Sequence, residues 1–215
     1  MNKKEALFIQ KKKEDINHHS ELSLRHITKP ITILLGPNGS GKSMSMKNMK
    51  YQLEDKKMKY SSYSTSKDDI VSKASGPFGD WAIEKIACAF ISEGERMNHS
   101  IADWMCGPMM KDILTDRDKP IYIFIDEMDS GLSIDKIMEE TKDILFVVKE
   151  ELKQNRDIHF IISCNSYELA EALNTEYTEY IWLPTKQRIK LGSYNRFKQR
   201  YVEFYKEMFK DGDEL

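Results

Sequence analysis

A short glycine-rich segment constrains the fold of this 215-residue chain more than any other feature. Residues 36–43 read GPNGSGKS and satisfy the pattern G-x-x-x-x-G-K-[ST]. The apolar run at residues 31–35 predicts a buried strand before this segment, and a helix is predicted to begin at Lys42. Glycines in such a turn let successive backbone N–H groups face one anion at the helix N-terminus. The segment therefore predicts a phosphate-binding loop, in which Lys42 neutralises the phosphates and Ser43 ligates Mg²⁺.

A second buried strand ends in two carboxylates. The apolar stretch at residues 121–125 leads directly into Asp126 and Glu127. An aspartate at the carboxyl end of a strand beside a phosphate loop is suited to hold a phosphate-bound metal, usually through water. The adjacent glutamate points to the other side of the strand end and can polarise an attacking water. Asp126 is thus the predicted metal contact, with a strand-end cap as its alternative, and Glu127 is the predicted catalytic base.

Strands alternate with helices along the chain, which predicts an α/β fold with a mixed, mostly parallel sheet. Strands are predicted at residues 6–10, 23–25, 31–35, 60–64, 121–126, 159–164 and 179–183. Helices are predicted from Lys42, over residues 81–91, 100–114 and 135–154, from Tyr167, and near the C-terminus. No repeat or linker is evident, so we expect one domain over residues 1–215, with a small helical insertion at 65–115 and a basic C-terminal helix at 186–215.

Composition excludes several other classes of protein. With 33 Lys and Arg against 35 Asp and Glu, and 40% hydrophobic residues, the chain has an ordinary globular composition. Its longest apolar runs are about a quarter of the length that spans a bilayer, so no membrane insertion is expected. The basic N-terminus lacks an apolar signal core. Cys88, Cys106 and Cys164 are too few and too scattered for a disulfide framework, so a cytoplasmic location is expected.

Four motifs in a fixed order make the chain resemble an ABC-type ATPase, most closely the soluble SMC, RecF and OLD-like branch. They are the phosphate loop, the segment SEGER at residues 92–96, the Asp126–Glu127 pair and the segment DSGLSID at residues 129–135. The first and third correspond to the Walker A and Walker B motifs of that family. The resemblance covers roughly residues 6–185 and implies a P-loop NTPase fold with an ABC-type core. Because only 50 positions separate Lys42 from Ser92, it implies a small AAA family ATPase head without coiled-coil arms.

The resemblance also implies how nucleotide is used. In that family the S-x-G-[EQ] signature of one protomer closes over the γ-phosphate held by the other, and DSGLSID resembles the loop that crosses this interface. It therefore implies an ATP-dependent homodimer in which Ser92 supplies a hydroxyl and Gly94 a backbone N–H. Phe8, His18 and His26 are alternatives for the aromatic that stacks on adenine. The implied nucleotide contacts in the first motif are Gly36, Pro37, Asn38, Gly39, Ser40, Gly41, Lys42, Ser43 and Met44.

The implied activity is hydrolysis of ATP with Mg²⁺, linked to DNA repair, recombination, or phage and mobile-element conflict. Two departures from the family pattern favour slow turnover. Asn165 stands where the family has a histidine, and an amide can hydrogen-bond a γ-phosphate or the lytic water but cannot take a proton. No glutamine occurs between residues 56 and 120, which leaves Ser64, Thr65 or Ser66 in its place. The alternative function is therefore a slow nucleotide-gated switch that regulates a protein partner.

The C-terminal segment mixes basic and aromatic residues. Eight basic residues stand against Glu203 and Glu207 and are interleaved with six aromatic residues. Such a mixture can place cations on DNA phosphates and rings on bases. The alternative is an amphipathic helix that packs its rings on the sheet and leaves its lysines in solvent.

Overall fold

A computed structural model gives the structure of the protein and describes residues 22–64, 101, 103–115, 119–130 and 132–210. Within these residues, six strands form one sheet in the order β2-β3-β4-β1-β5-β6. The strands are β1 (Ile31–Leu35), β2 (Tyr60–Ser64), β3 (Ile121–Asp126), β4 (Ile158–Cys164), β5 (Thr178–Trp182) and β6 (Gln187–Ile189). All neighbouring pairs are parallel except β5 with β6, which is antiparallel. The predicted α/β fold with a mixed, mostly parallel sheet is confirmed.

Helices lie between the strands. They are α1 (Lys42–Asp55), α2 (Met110–Thr115), α3 (Ile134–Lys153), α4 (Tyr167–Ala172) and α5 (Tyr194–Lys210). A π-helical turn at Met105–Met109 contains Pro108 and leads into α2. Because proline lacks the backbone N–H that an α-helical turn needs, this wider turn fits the sequence there. The strand predicted at residues 6–10 and the helix predicted at 81–91 lie outside the described residues.

The strand predicted at residues 23–25 is wrong. Leu24–His26 forms a single 3₁₀ turn instead. The backbone N–H of Ser23 donates to Nδ1 of His26 at 3.0 Å, so local polar groups satisfy the backbone that a strand would have paired. Sequence patterns also missed β6, which has only three residues and no buried side chain.

The sheet is covered on both faces, which explains why β1 is buried at all five positions. On one face, Leu34, Phe124 and Ile161 pack with three residues of α1, which are Met46, Met49 and Leu53. The opposite face packs against the apolar stripe of α3 and against parts of α4 and α5, with these buried residues: Ile33, Ile123, Ile162, Ile144, Val148, Leu169 and Phe197. The described residues thus form a three-layer sandwich, with α1 and the 3₁₀ turn at Leu24–His26 on one side of the sheet.

Strand order brings three loops to one edge of the sheet. Because β4 lies between β1 and β3, and all three run parallel, their carboxyl ends meet. Leu35 is opposite Cys164, and Ile125 is opposite Ile162. The segments that follow these strands, at residues 36–43, 127–133 and 165–166, therefore begin side by side.

Glu140 of α3 carries a pH-dependent contribution to stability. Its side chain is buried, at 3% exposure, and within the described part of the chain its Oε2 has no hydrogen-bond partner. Burial, and secondarily the charges of Asp143 and Glu139, raise the pKa of Glu140 from 4.5 to about 7. The folded state therefore holds a proton that the unfolded chain releases between these values, and its stability falls as pH rises through them.

We expect the free energy of unfolding to fall by about 2 kcal/mol between pH 4.5 and 7 through this group. Urea unfolding of the Glu140→Gln variant should show a correspondingly smaller pH dependence than the wild type. Glu150→Gln, which removes a carboxylate of the same helix that is not among the charges acting on Glu140, should keep the wild-type dependence. An equal pH dependence in wild type and Glu140→Gln would contradict this assignment.

Candidate nucleotide-binding site

The glycine-rich segment forms the loop between β1 and α1, as the sequence predicts. Gly39 and Gly41 adopt left-handed backbone angles, with φ of +81° and +88°. An L side chain would be strained at both positions. At Gly36, an added Cβ would lie 2.5 Å from Oγ of Ser40 and 3.2 Å from Cδ of Pro184, so both neighbours would have to move. The loop therefore needs glycine for its path, and its backbone curls over the N-terminus of α1.

Lys42 begins α1 and is buried, at 6% exposure. Its Nζ donates to the backbone oxygens of Gly36 and Pro37, at 2.6 and 3.1 Å, and to Oδ1 of Asn165 at 2.7 Å. Burial lowers the pKa of Lys42, and nearby groups that include Asp129 oppose this effect. The structure thus brings together two residues that the sequence separates by more than a hundred positions. A buried ammonium group held over the glycine-rich loop can neutralise a bound phosphate.

Asp126 lies at the end of β3, on the face of the sheet that packs against α1. Its Oδ1 accepts a hydrogen bond from the hydroxyl of Ser163 in β4, and the same hydroxyl oxygen accepts one from the backbone N–H of Glu127 at 2.8 Å. Ser163 therefore fixes both carboxylate-bearing residues at the strand end. Sequence reasoning did not assign Ser163 to the site. The signal was a serine next to the carboxyl end of a mostly apolar strand.

The backbone turns sharply at Glu127. This residue has a φ of +56°, a left-handed angle that is uncommon for a side chain of its size. Its carbonyl accepts a hydrogen bond from the backbone N–H of Ser130 at 2.9 Å, which closes the turn. Non-glycine residues keep this conformation only where surrounding contacts hold them, and such residues cluster at active sites.

Asp129 ties the loop after Glu127 to the loop after β4. Its Oδ2 accepts hydrogen bonds from the backbone N–H groups of Asn165 and Ser166, at 2.8 and 2.6 Å. Its Oδ1 is buried, and among the residues that the structure describes it has no hydrogen-bond partner. The resemblance placed this loop at a protomer interface, whereas the structure adds a contact within the chain. Asp129 is a second residue that sequence reasoning did not assign.

The C-terminal helix reaches the same edge of the sheet. Tyr201 of α5 donates a hydrogen bond from its hydroxyl to the backbone oxygen of Asn165 at 3.3 Å. Phe197 is buried, and Tyr201 and Phe204 pack partly buried against the same core. The alternative in which the rings pack on the sheet is therefore confirmed for these three residues. Tyr194 and Tyr205 remain exposed, at 47% and 42%.

A comparison with family models matches residues 32–185 to the ATPase family associated with various cellular activities, AAA. The match covers more than two thirds of the chain and includes the glycine-rich loop, Asp126 and Asn165. The chain belongs to the AAA family. None of the curated proteins compared with it matches. Membership supports a P-loop ATPase that binds and hydrolyses nucleotide, while the narrower resemblance to the SMC, RecF and OLD-like ABC branch is not confirmed.

Other sequence-predicted residues of this AAA ATPase lie in different settings. Ser43 and Met44 are exposed in the first turn of α1, Asn38 and Gly39 are exposed in the loop, and Pro37 is buried. Ser64 ends β2 and is opposite Asp126 in register. Several predicted residues lie outside the described part of the chain, namely Phe8, His18, Thr65, Ser66, Ser92 and Gly94. His26 lies in the 3₁₀ turn, where its ring nitrogen is bonded to Ser23.

The oxygen donors fit a magnesium ion held mainly by a nucleotide. Over the described ranges, no group of three His, Cys, Asp or Glu side chains is arranged to hold a metal by itself. Mg²⁺ usually takes one or two protein oxygens and completes its shell with phosphates and water. The hydroxyl of Ser43 is exposed, and the carboxylate of Asp126 is oriented by Ser163 on the same side of the sheet.

In the same described part of this AAA ATPase, no helix is long and apolar enough to cross a membrane.

Proposed function

We propose that this AAA-family protein binds MgATP on residues 36–43 and hydrolyses it to ADP and phosphate. The contact between Lys42 and Asn165 carries this proposal, because it joins the phosphate loop to a polar residue at the next strand end. Asp126 ends β3, the strand beside β4, and Glu127 follows it at the same edge. Three polar segments thus converge where a phosphate chain would lie against the N-terminus of α1.

Different groups of the chain bind the phosphates and the metal ion of MgATP. Backbone N–H groups of the loop bind the phosphates, and Lys42 exchanges part of its contact with Gly36, Pro37 and Asn165 for the β- and γ-phosphates. Ser43 and Asp126 would hold Mg²⁺. When bound, this ion neutralises phosphate charge and orients the phosphate chain.

For hydrolysis, Glu127 accepts a proton from the attacking water. The water oxygen forms a bond to the γ-phosphorus, and the bond to the β–γ bridging oxygen breaks, which releases ADP. Asn165 hydrogen-bonds the γ-phosphate or the attacking water, which keeps the water in line with the bond that breaks. Because its amide takes no proton, we expect turnover to be slow.

We further propose that ATP joins two copies of the chain, with Ser92 and Gly94 of one copy on the nucleotide of the other. Two apolar residues in the first turns of α3, Ile134 and Met138, are 60% and 41% exposed beside the loop that contains Asp129. Such exposure next to the site supports a protein contact there.

Light scattering tests this prediction directly. With saturating MgATP we expect twice the monomer mass, and without nucleotide we expect the monomer of 25.2 kDa. Only monomer with saturating ATP, or a larger ring of defined mass, would contradict the dimer.

The free thiols of Cys106 and Cys164 support the cytoplasm as the compartment of this protein.

The resemblance to the SMC, RecF and OLD-like branch and the basic residues of α5 suggest which process uses ATP hydrolysis. Arg196, Lys198 and Lys206 of α5 are exposed and basic, which supports a link to DNA. The alternative, a slow switch for a protein partner, is favoured by the amide of Asn165 on Lys42. Turnover measured with single- and double-stranded DNA at low and high salt distinguishes the two. DNA stimulation that disappears with salt supports the DNA link, whereas a DNA-independent rate supports the switch.

A further inference from the structure

Tyr201 connects the C-terminal helix to the loop after β4, which meets the phosphate loop at Lys42. Its hydroxyl donates to the backbone oxygen of Asn165 at 3.3 Å. Asn165 follows β4, and its side-chain oxygen accepts a hydrogen bond from Lys42 over the phosphate loop. No sequence motif assigns Tyr201 a role.

The ring of Tyr201 is held firmly enough to give its hydroxyl a defined place. It packs against Phe197 and Trp182, with ring centroids 4.9 and 5.2 Å away. Trp182 ends β5 and is itself buried, at 6% exposure. Burial is also the main cause that raises the pKa of Tyr201, so its hydroxyl keeps its proton and remains a donor at neutral pH.

Asn165 is held from three directions. Asp129 accepts from its backbone N–H at 2.8 Å, Tyr201 donates to its backbone oxygen, and its side-chain oxygen accepts from Lys42 at 2.7 Å. Two of these contacts fix the backbone, and the third uses the side chain that faces the phosphate loop. A shift of the Asn165 backbone would therefore move its amide relative to Lys42. Misplacement of a positioning group by about 1 Å can lower a rate substantially.

We propose that Tyr201 is a positioning residue that holds the Asn165 amide in place for ATP hydrolysis, which makes α5 part of the ATPase site. This inference rests on the proposed function of that site. Its consequence is that a partner bound to α5 changes turnover without touching the nucleotide. The basic face of the same helix lies in solvent and is open to such a partner.

Removal of one hydroxyl tests the proposal. Tyr201→Phe keeps the packed ring and deletes only the hydrogen-bonding group, so the fold should be retained. We expect kcat for ATP to fall about fivefold and KM to change by less than about twofold, as for loss of one hydrogen bond made through Asn165. Tyr194→Phe is the matched control, since it deletes the same group from an exposed ring on the same helix. It should leave kcat and KM unchanged.

A double-mutant cycle separates positioning from a purely structural role. In an Asn165→Ala background, Tyr201→Phe should cause no further loss of kcat, because the amide that it positions is gone. Additive losses in the double variant would overturn the proposal, as would a wild-type kcat in Tyr201→Phe. Urea unfolding of the same samples identifies any loss that comes from destabilisation.

The same assay distinguishes failure of this inference from failure of the proposed function. Normal wild-type turnover with an unchanged Tyr201→Phe rate contradicts the inference alone. A wild-type chain that neither binds nor hydrolyses MgATP contradicts the proposed function, and the inference with it.

Discussion

Lys42→Ala is expected to weaken ATP binding about 100-fold, because it removes a buried positive charge that no other described side chain replaces at the phosphate loop. In the structure this ammonium group is already desolvated and bonded to three oxygens, two of which belong to the loop itself. The ammonium group of Lys42 is therefore already ordered at the place where a bound phosphate chain would lie. Isothermal titration calorimetry with MgATP measures the change.

Lys47→Ala provides the matched control for charge and helix. Lys47 lies on the exposed side of α1, one and a half turns from Lys42, and its removal should change the dissociation constant by less than about twofold. Thermal unfolding of both variants shows whether the helix is retained. Unchanged ATP affinity in a folded Lys42→Ala variant would refute the position of the site.

Glu127→Gln should abolish most hydrolysis while ATP binding is retained. A positioned general base accounts for about 100-fold or more in rate, and glutamine keeps the size of the side chain without its basicity. The backbone N–H of residue 127 would still donate to Ser163, so the turn at φ +56° should persist. If ATP joins two copies, this variant should also accumulate as an ATP-bound dimer.

Glu139→Gln is the control for the loss of one carboxylate. Glu139 is exposed on α3, where it pairs with Lys136, and an exposed pair of this kind contributes little. Its turnover should equal that of the wild type. A Glu127→Gln variant that hydrolyses ATP at the wild-type rate would show that another group activates the water.

The fold was predictable because local patterns of apolar residues in the sequence indicate its strands and helices. The continuous apolar runs of β1 and β3, and the long apolar stripe of α3, define buried strands and an amphipathic helix without reference to the rest of the chain. The predicted bounds of α3, residues 135–154, differ from the observed Ile134–Lys153 by one residue at each end. The turn at Leu24–His26 was missed because polar side chains there bond to the backbone locally.

The candidate site was predictable only where its residues form a contiguous motif. The loop at residues 36–43 and the Asp126–Glu127 pair are of this kind. Ser163, Asp129 and Tyr201 reach the site through contacts between residues 36 or 37 positions apart. Such contacts depend on the position of β4 between β1 and β3 and on the packing of α5 against the sheet. The alternation of side chains along a strand predicts neither of these arrangements.

Conversion of ATP to ADP in a single turnover, with enzyme in excess over ATP and Mg²⁺ present, tests the central claim most directly. The wild-type chain should convert the bound ATP completely. Glu127→Gln should retain it as ATP over the same period, and Lys42→Ala should leave it unbound. Wild-type protein that binds ATP but leaves it intact, or variants that convert it at the wild-type rate, would contradict hydrolysis at this site.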